Sequence, residues 1–188
     1  MVIGSRGLEP VRRVLIGSVS EGVVHHARCP ILVVHGSEEA WAPERVVVGD
    51  DGSDDAGRAG ELAAGIGKLF GAGSVLVRAY QNPPEPGAGW SAEDRKLGEV
   101  LFRQVEAVNE RAKELEEVLG SHPEVRVVEG DAATVILDVA GKGNQQWTLL
   151  AVGSRGLGMI DRARLGTVST KVLRAAEGSV LVCPRTRR

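Results

Sequence analysis

The stretch Trp147-Thr-Leu-Leu-Ala-Val-Gly-Ser-Arg-Gly-Leu-Gly158, closed by Gly166-Thr-Val-Ser169, decides the fold. It reads as an apolar strand from Trp147 to Val152, a glycine loop, and the first turn of a helix. A second copy opens the chain as Gly4-Ser-Arg-Gly-Leu8 with Gly17-Ser-Val-Ser20. Every matched position is offset by 149 residues, and nine residues separate Gly7 from Gly17 as they separate Gly156 from Gly166. Two copies at one spacing, each followed by an amphipathic helix and an apolar strand, indicate a repeated unit. The period is too long for a stacked solenoid, so the pattern is that of domain duplication.

The copies differ in what precedes them. More than 100 residues of strand-and-helix pattern lie before the second, and only Met1, Val2 and Ile3 before the first. Residues 1–35 therefore read as the tail of one domain, with a helix at 17–27 and a strand at Pro30 to Val34. Residues 36–43 read as a polar linker in which Trp41 is a candidate anchor. Residues 44–184 read as a whole domain and 185–188 as a basic tail. The start at Met1 is compatible with a missing upstream part.

In the complete unit, five strands alternate with helical segments. Arg45 to Val48 is a short continuous apolar run, as expected of a strand covered on both faces. Ser53 or Asp54 caps a helix that runs to about Phe70. Ser74 to Tyr80 is the second strand. A long helix capped by Ser91 has an apolar stripe of Leu97, Val100, Leu101, Val105, Val108, Ala112, Leu115 and Val118. Pro123 to Val128 is the third strand, Trp147 to Val152 the fourth and Ser179 to Cys183 the fifth. Alternation of this kind predicts an α/β fold: an open, doubly wound, five-stranded parallel sheet, Rossmann-like, with helices on both faces and a partial repeat at the N-terminus. In the order 3-2-1-4-5, strands 1 and 4 are neighbours, and their carboxyl ends form the expected ligand crevice.

Composition narrows the function. The net charge is −2 and the pI about 6.1, against a general nucleic-acid partner. No apolar run is long enough to span a bilayer, and Gly4 and Arg6 interrupt any secretory pattern. Cys29 and Cys183 make no disulfide framework and read as buried or half-buried inert thiols. The default location is cytoplasmic.

Gly153 and Gly156 let the backbone approach a ligand. Gly166 ends the loop. The N–H groups of Thr167, Val168 and Ser169 lack intrahelical partners and carry the positive end of the helix dipole, which suits phosphate. The hydroxyls of Thr167 and Ser169 add donors. Arg155 reads equally as a counter-charge or as a solvated residue. Asp51, on the opposite wall, suits a ribose hydroxyl pair, or forms an Asx turn. Ala79 offers backbone groups to a nucleobase edge. A structural loop with no ligand is the alternative reading of the whole glycine pattern. This is not a Walker A loop, because Lys171 lies within the helix and not directly before it. Nor is it a dinucleotide fingerprint, which follows the first strand of its unit. No Ser-His-acid or Cys-His arrangement is visible. His25-His26 reads as solvated imidazoles in preference to a metal pair.

These motifs resemble the universal stress protein family: Gly153-x-x-Gly156, nine residues, then Gly166-Thr167, together with Asp51-Gly52-Ser53 after the first strand. The resemblance covers 44–184 as a full domain and 1–35 as a domain tail. It implies the ATP-binding class, with adenosine held by the Asp loop and strand 2, and phosphate by the glycine loop. Asp51, Ala79, Val152, Gly153, Gly156, Gly166, Thr167, Val168 and Ser169 are then the site, with Arg155 added as the candidate counter-charge read from the loop itself. It also implies Mg²⁺ or Mn²⁺ carried by the phosphates, and a homodimer through fifth-strand edges. The first copy retains only a phosphate half, at Gly4, Gly7, Gly17 and Ser18. The function expected is an ATP-binding stress regulator; a nucleotide-free scaffold and a slow ATPase are the alternatives.

Overall fold

A computed structural model describes residues 1–5, 16–35, 41–81, 92–141, 145, 147–154 and 165–184, with side chains in the long third helix from residue 98 onward. The elements run β1 (Val2–Gly4), α1 (Ser18–His26), β2 (Ile31–Val34), β3 (Arg45–Gly49), α2 (Asp54–Phe70) and β4 (Gly73–Tyr80). They continue as α3 (Ala92–Leu119), β5 (Glu124–Glu129), α4 (Ala132–Ala140), β6 (Thr148–Gly153), α5 (Thr167–Ala175) and β7 (Ser179–Cys183). The five strands expected of the complete unit are β3 to β7, each within a residue or two of its predicted bounds. Ser91, the expected cap of α3, lies outside the described residues.

The sheet has seven strands in the order β1-β2-β7-β6-β3-β4-β5, not five. The 3-2-1-4-5 arrangement is present inside it, as β5-β4-β3-β6-β7, with every neighbour parallel. The two additional strands come from the N-terminal segment. β2 lies antiparallel beside β7, and β1 parallel beside β2. The reason is local chemistry. The β7 edge has a row of unpaired peptide groups, and Ile31-Leu32-Val33-Val34 is too apolar to leave in water. Pairing leaves Ile31 and Val33 with no more than 1% of their surface exposed. Full burial stabilises such side chains by about 1.5–3 kcal/mol each.

The register of this pairing is self-complementary. Leu32 faces Leu181, its own counterpart 149 residues on, and the pairs Ile31–Val182 and Val33–Val180 mirror each other about it. An isologous contact of this kind normally joins two copies of a protein. Here it is closed within one chain, and both edges of β7 are bonded internally, to β6 and to β2.

Strand alternation sorts the core into two layers. Val47, Val75, Val77, Leu150, Val152, Val180 and Val182 pack beneath α1, α4 and α5. Val46, Val48, Leu76, Leu149, Ala151 and Leu181 pack beneath α2 and α3. Trp41 packs against this second layer and anchors the linker's described end. The stripe expected along α3 is only half used. Val108, Ala112 and Leu115 are buried, but Val100 is 52% and Val105 40% exposed. A 28-residue helix is about 42 Å long at 1.5 Å per residue, whereas the strand before it has eight residues, about 26 Å at 3.3 Å each. The first half of α3 therefore overhangs the carboxyl ends of the strands.

Candidate functional site

β3 and β6 are paired in parallel from Arg45↔Thr148 to Val48↔Ala151, so the loops after them leave the sheet side by side. This brings the Asp51 turn and Gly153, 102 positions apart, to one crevice.

The turn after β3 is locked from two directions. Asp50 Oδ1 accepts from Gly52 N–H at 3.2 Å, and Asp51 Oδ1 from Ser53 N–H at 3.0 Å. Gly52 adopts φ +82°, in the left-handed region that disfavours side chains. Ser53 then caps α2, its Oγ accepting from Ala56 N–H at 3.2 Å. The Asx turn foreseen for Asp51 is thus formed. It engages one carboxylate oxygen and holds an exposed carboxylate at the crevice wall.

That wall is one side of a cavity of about 260 Å³, lined by Asp51, Arg78, Ala79, Tyr80, Gln81, Val100, Leu101 and Gln104. Asp51 and Ala79 therefore meet in a single pocket. The contribution of Ala79 follows from strand geometry. β3 pairs with β4 as far as Gly49↔Val77, and the Val77 carbonyl accepts from Asp50 N–H at 2.8 Å. Peptide groups two residues apart in a strand point the same way. The N–H and C=O of Ala79 thus face the side from which β3 has just turned away. The overhanging start of α3 supplies the pocket's apolar cover through Val100 and Leu101.

Under the pocket lies an ionic cluster that sequence reasoning missed. Arg78, 4% exposed, points from β4 onto buried Asp50, with Nε donating to Oδ2 at 3.0 Å and Nη2 paired to the same oxygen. Its Nη1 donates to the Gln104 carbonyl at 3.1 Å and to the Gln104 side-chain oxygen at 3.0 Å. Arg111 Nε lies 3.7 Å from Asp50 Oδ1. The signal was available: an arginine inside the apolar run Val75-Leu-Val-Arg-Ala79 needs a buried acid.

On the other wall, Gly166 caps α5 without a side chain, and the first intrahelical bond runs from Thr170 N–H to the Gly166 carbonyl at 2.9 Å. The N–H groups of Thr167, Val168 and Ser169 precede that bond and form the open end of the helix. Thr167 is exposed. Ser169 is buried, and its Oγ donates to the Gly153 carbonyl at 2.6 Å, so that hydroxyl proton ties helix to strand. Val152 is a core residue whose side chain faces α4 and α5. Gly153 has a structural reason beyond ligand approach. A Cβ there would lie 2.8 Å from Ala56 N and 2.9 Å from Asp55 Cβ, so the residue admits the start of α2 against β6. Next to it, buried Ser154 donates through Oγ to Asp55 Oδ2 at 3.3 Å. Arg155, Gly156 and Gly7 lie outside the described residues.

The first copy has the same local bonds. Ser20 Oγ donates to the Gly4 carbonyl at 2.8 Å, as Ser169 does to Gly153. Gly17 N–H donates to the Ser5 carbonyl at 2.7 Å, as Gly166 does to Ser154 at 2.6 Å. Gly17 caps α1, again with no side-chain cap, and Ser18 is exposed.

Two further groups lie at the carboxyl ends of β5 and β7. Asp131 caps α4 through Thr134 N–H and pairs with Lys171 Nζ of α5 at 2.9 Å. The Lys171 bond, helped by Thr134, holds its carboxyl below the usual range. Burial pushes the Cys183 thiol up to about 11, which keeps it protonated and unreactive. Cys29, expected to be buried or half-buried as well, is instead exposed, in the connection between α1 and β2.

Comparison with known proteins identifies the family. The universal stress protein family model matches residues 1–35 and 43–184. The chain belongs to the universal stress protein family. A universal stress protein of Mycobacterium tuberculosis (strain ATCC 25618 / H37Rv) is 32% identical over 189 residues, covering 97% of this chain and 60% of the relative. One from Mycolicibacterium smegmatis is 29% identical over 191 residues, with 97% and 60% covered. The chain thus spans about 60% of the length of these relatives. Among solved structures, a universal stress protein from Archaeoglobus fulgidus superposes with a TM-score of 0.61 at 27% identity, covering 98% of this chain and 61% of that one. A universal stress protein in complex with cAMP superposes at 0.52 with 28% identity, covering 78% and 99%. The α/β architecture, with its mostly parallel sheet and helices on both faces, is that of the family. Among the described residues, no helix is long and apolar enough to cross a membrane.

Proposed function

We propose that the chain binds an adenine nucleotide at the carboxyl ends of β3, β4 and β6, and acts as a nucleotide-dependent stress regulator and not as an efficient ATPase. The observation that carries this reading is the pairing of β3 with β6, which sets two features at neighbouring strand ends. One is a carboxylate and the open backbone of Ala79 around a pocket; the other, outside that pocket's lining, is a helix end whose first N–H groups precede the first intrahelical bond. The base and ribose occupy the pocket, and the phosphates lie toward Thr167, Val168 and Ser169, where the dipole favours anions. Mg²⁺ or Mn²⁺ accompanies the phosphates as part of the ligand. A family neighbour described as a complex with cAMP supports an adenine ligand for this architecture. Binding without rapid turnover follows from the carboxylates at hand. Asp51 is assigned to the ribose hydroxyls, and Asp55 is held by Arg58 and Ser154. Neither is assigned to activate water.

The N-terminal segment is, in this reading, the carboxyl-terminal part of a second stress-protein unit. Its family match over 1–35 and its repeated bonds support that origin. The β7 edge expected to join two chains is, in this reading, taken by β2 of the same chain.

Calorimetric titration with ATP, with Mg²⁺ and without, tests the proposal. Saturable binding is expected, weakened by Gly166→Val without loss of fold. Asp51→Ala is expected to weaken adenosine binding more than pyrophosphate binding. Absence of heat at millimolar ATP refutes the reading and favours a nucleotide-free scaffold. That scaffold would contact partners through exposed apolar residues such as Leu69 and Phe102.

A further inference from the structure

Gln104 faces two ways. It lines the pocket with Asp51 and Ala79, yet it is also the second partner of the buried Arg78 guanidinium. Arginine has only donors, so the carboxamide atom at 3.0 Å from Arg78 Nη1 must be the oxygen. Amide orientation is often ambiguous; here the chemistry of the partner decides it. Arg78 is itself immobilised, held by Asp50 on one side and by the Gln104 main-chain carbonyl on the other. The carboxamide is planar, so the bond to its oxygen restricts where its nitrogen can lie. Nε2 has no hydrogen-bond partner among the described residues, although the side chain borders the cavity.

The geometry points to Gln104 as a base-reading residue: its Nε2 amide donates to a ring-nitrogen acceptor of an adenine held in the pocket, with Arg78 as the positioning residue behind it. This inference rests on the nucleotide reading above and adds a specificity determinant to it. The pocket then offers an acid to the sugar hydroxyls, backbone groups to one edge of the base, and one oriented amide donor to another. A pre-set donor of this kind favours a base with an acceptor at that point. An analogue without one leaves the amide buried and unpaired, which costs more than a lost contact at a surface.

The test is Gln104→Glu on the full chain, titrated with adenosine and with its 1-deaza, 3-deaza and 7-deaza analogues. The substitution keeps the shape. It also keeps an oxygen for Arg78, now with a charge-assisted bond, so the melting temperature is expected to hold or rise. It replaces the pocket-facing donor with an acceptor, so adenosine affinity is expected to fall by about tenfold or more, from a lost hydrogen bond plus lone-pair repulsion. One deaza analogue should bind wild type as weakly as adenosine binds the variant, and lose little further in the variant; that analogue identifies the ring nitrogen. Gln104→Met removes donor and acceptor together and should show the same affinity loss if Gln104→Glu fails to fold. Unchanged adenosine affinity in a folded variant, or a gain, overturns the role of Gln104 while leaving nucleotide binding standing. Failure of wild type to bind adenosine or ATP overturns both.

Discussion

Gly153→Ala separates packing from ligand approach at the glycine that ends β6. The added methyl carbon would lie 2.8 Å from Ala56 N, 2.9 Å from Asp55 Cβ and 3.0 Å from Asp55 C. Two of these are backbone atoms of α2, so no side-chain rotation relieves the clash, and the first turn of the helix must move. Overpacking of this kind costs about 1–3 kcal/mol. The gain from replacing glycine, through a less flexible unfolded chain, is about 0.4–1 kcal/mol and offsets part of it. A net loss of about 1–2 kcal/mol is expected. For a chain of this size, each kcal/mol shifts the melting midpoint by about 2–4 °C, so the midpoint should fall by about 2–8 °C. Urea unfolding followed by circular dichroism measures the loss, and ATP titration of the folded variant measures the site. Movement of the α2 start also moves Ser53 and Asp51, so adenosine affinity should weaken with stability. Stability unchanged to within about 0.5 kcal/mol would refute the packing argument and leave ligand approach as the only role of Gly153.

Arg78→Met should destabilise the chain by about 3 kcal/mol, because it leaves the Asp50 carboxylate buried. The figure is at the low end for a broken buried pair, since Arg111 at 3.7 Å and Gly52 N–H at 3.2 Å still serve that acid. A loss below about 1 kcal/mol in denaturant would contradict it, and adding Asp50→Asn should recover part. Deleting residues 1–40 should create a dimer, because β7 loses β2 and gains a free, self-complementary edge; a monomer in sedimentation velocity would show that the edge tolerates water. Native chain at neutral pH should label rapidly at one thiol, exposed Cys29, and at buried Cys183 only after unfolding, because burial holds that thiol up to about 11. Mass spectrometry reads both, and equal labelling would refute the burial argument.

The local sequence determined the fold of the complete unit. Continuous apolar runs such as Val46-Val-Val48 and Leu149-Leu-Ala-Val152 allow little but strands covered on both faces, and helical segments between them force right-handed parallel crossovers. Strand order and the crevice between β3 and β6 followed, along with the Asp51 turn and the open helix end at Gly166. All of these depend on neighbours a few residues apart, or on a repeat visible in the letters. Contacts between distant segments were settled only by tertiary structure. Nothing in Ile31-Leu-Val-Val34 says whether it pairs within the chain or across two chains; the structure pairs it with β7 of the same chain, which makes the sheet seven strands wide. Nothing in Gly153 distinguishes a ligand's approach from a helix's; the position of Ala56 adds the helix. The apolar pattern of α3 predicts a buried stripe along its whole length, but the strands beneath end early, so Val100 and Val105 stand clear of the core. Arg78 was legible as an anomaly in an apolar strand. Its partners were not, because Asp50 and Gln104 lie 28 and 26 residues away and meet it only when three elements pack at the sheet's carboxyl edge.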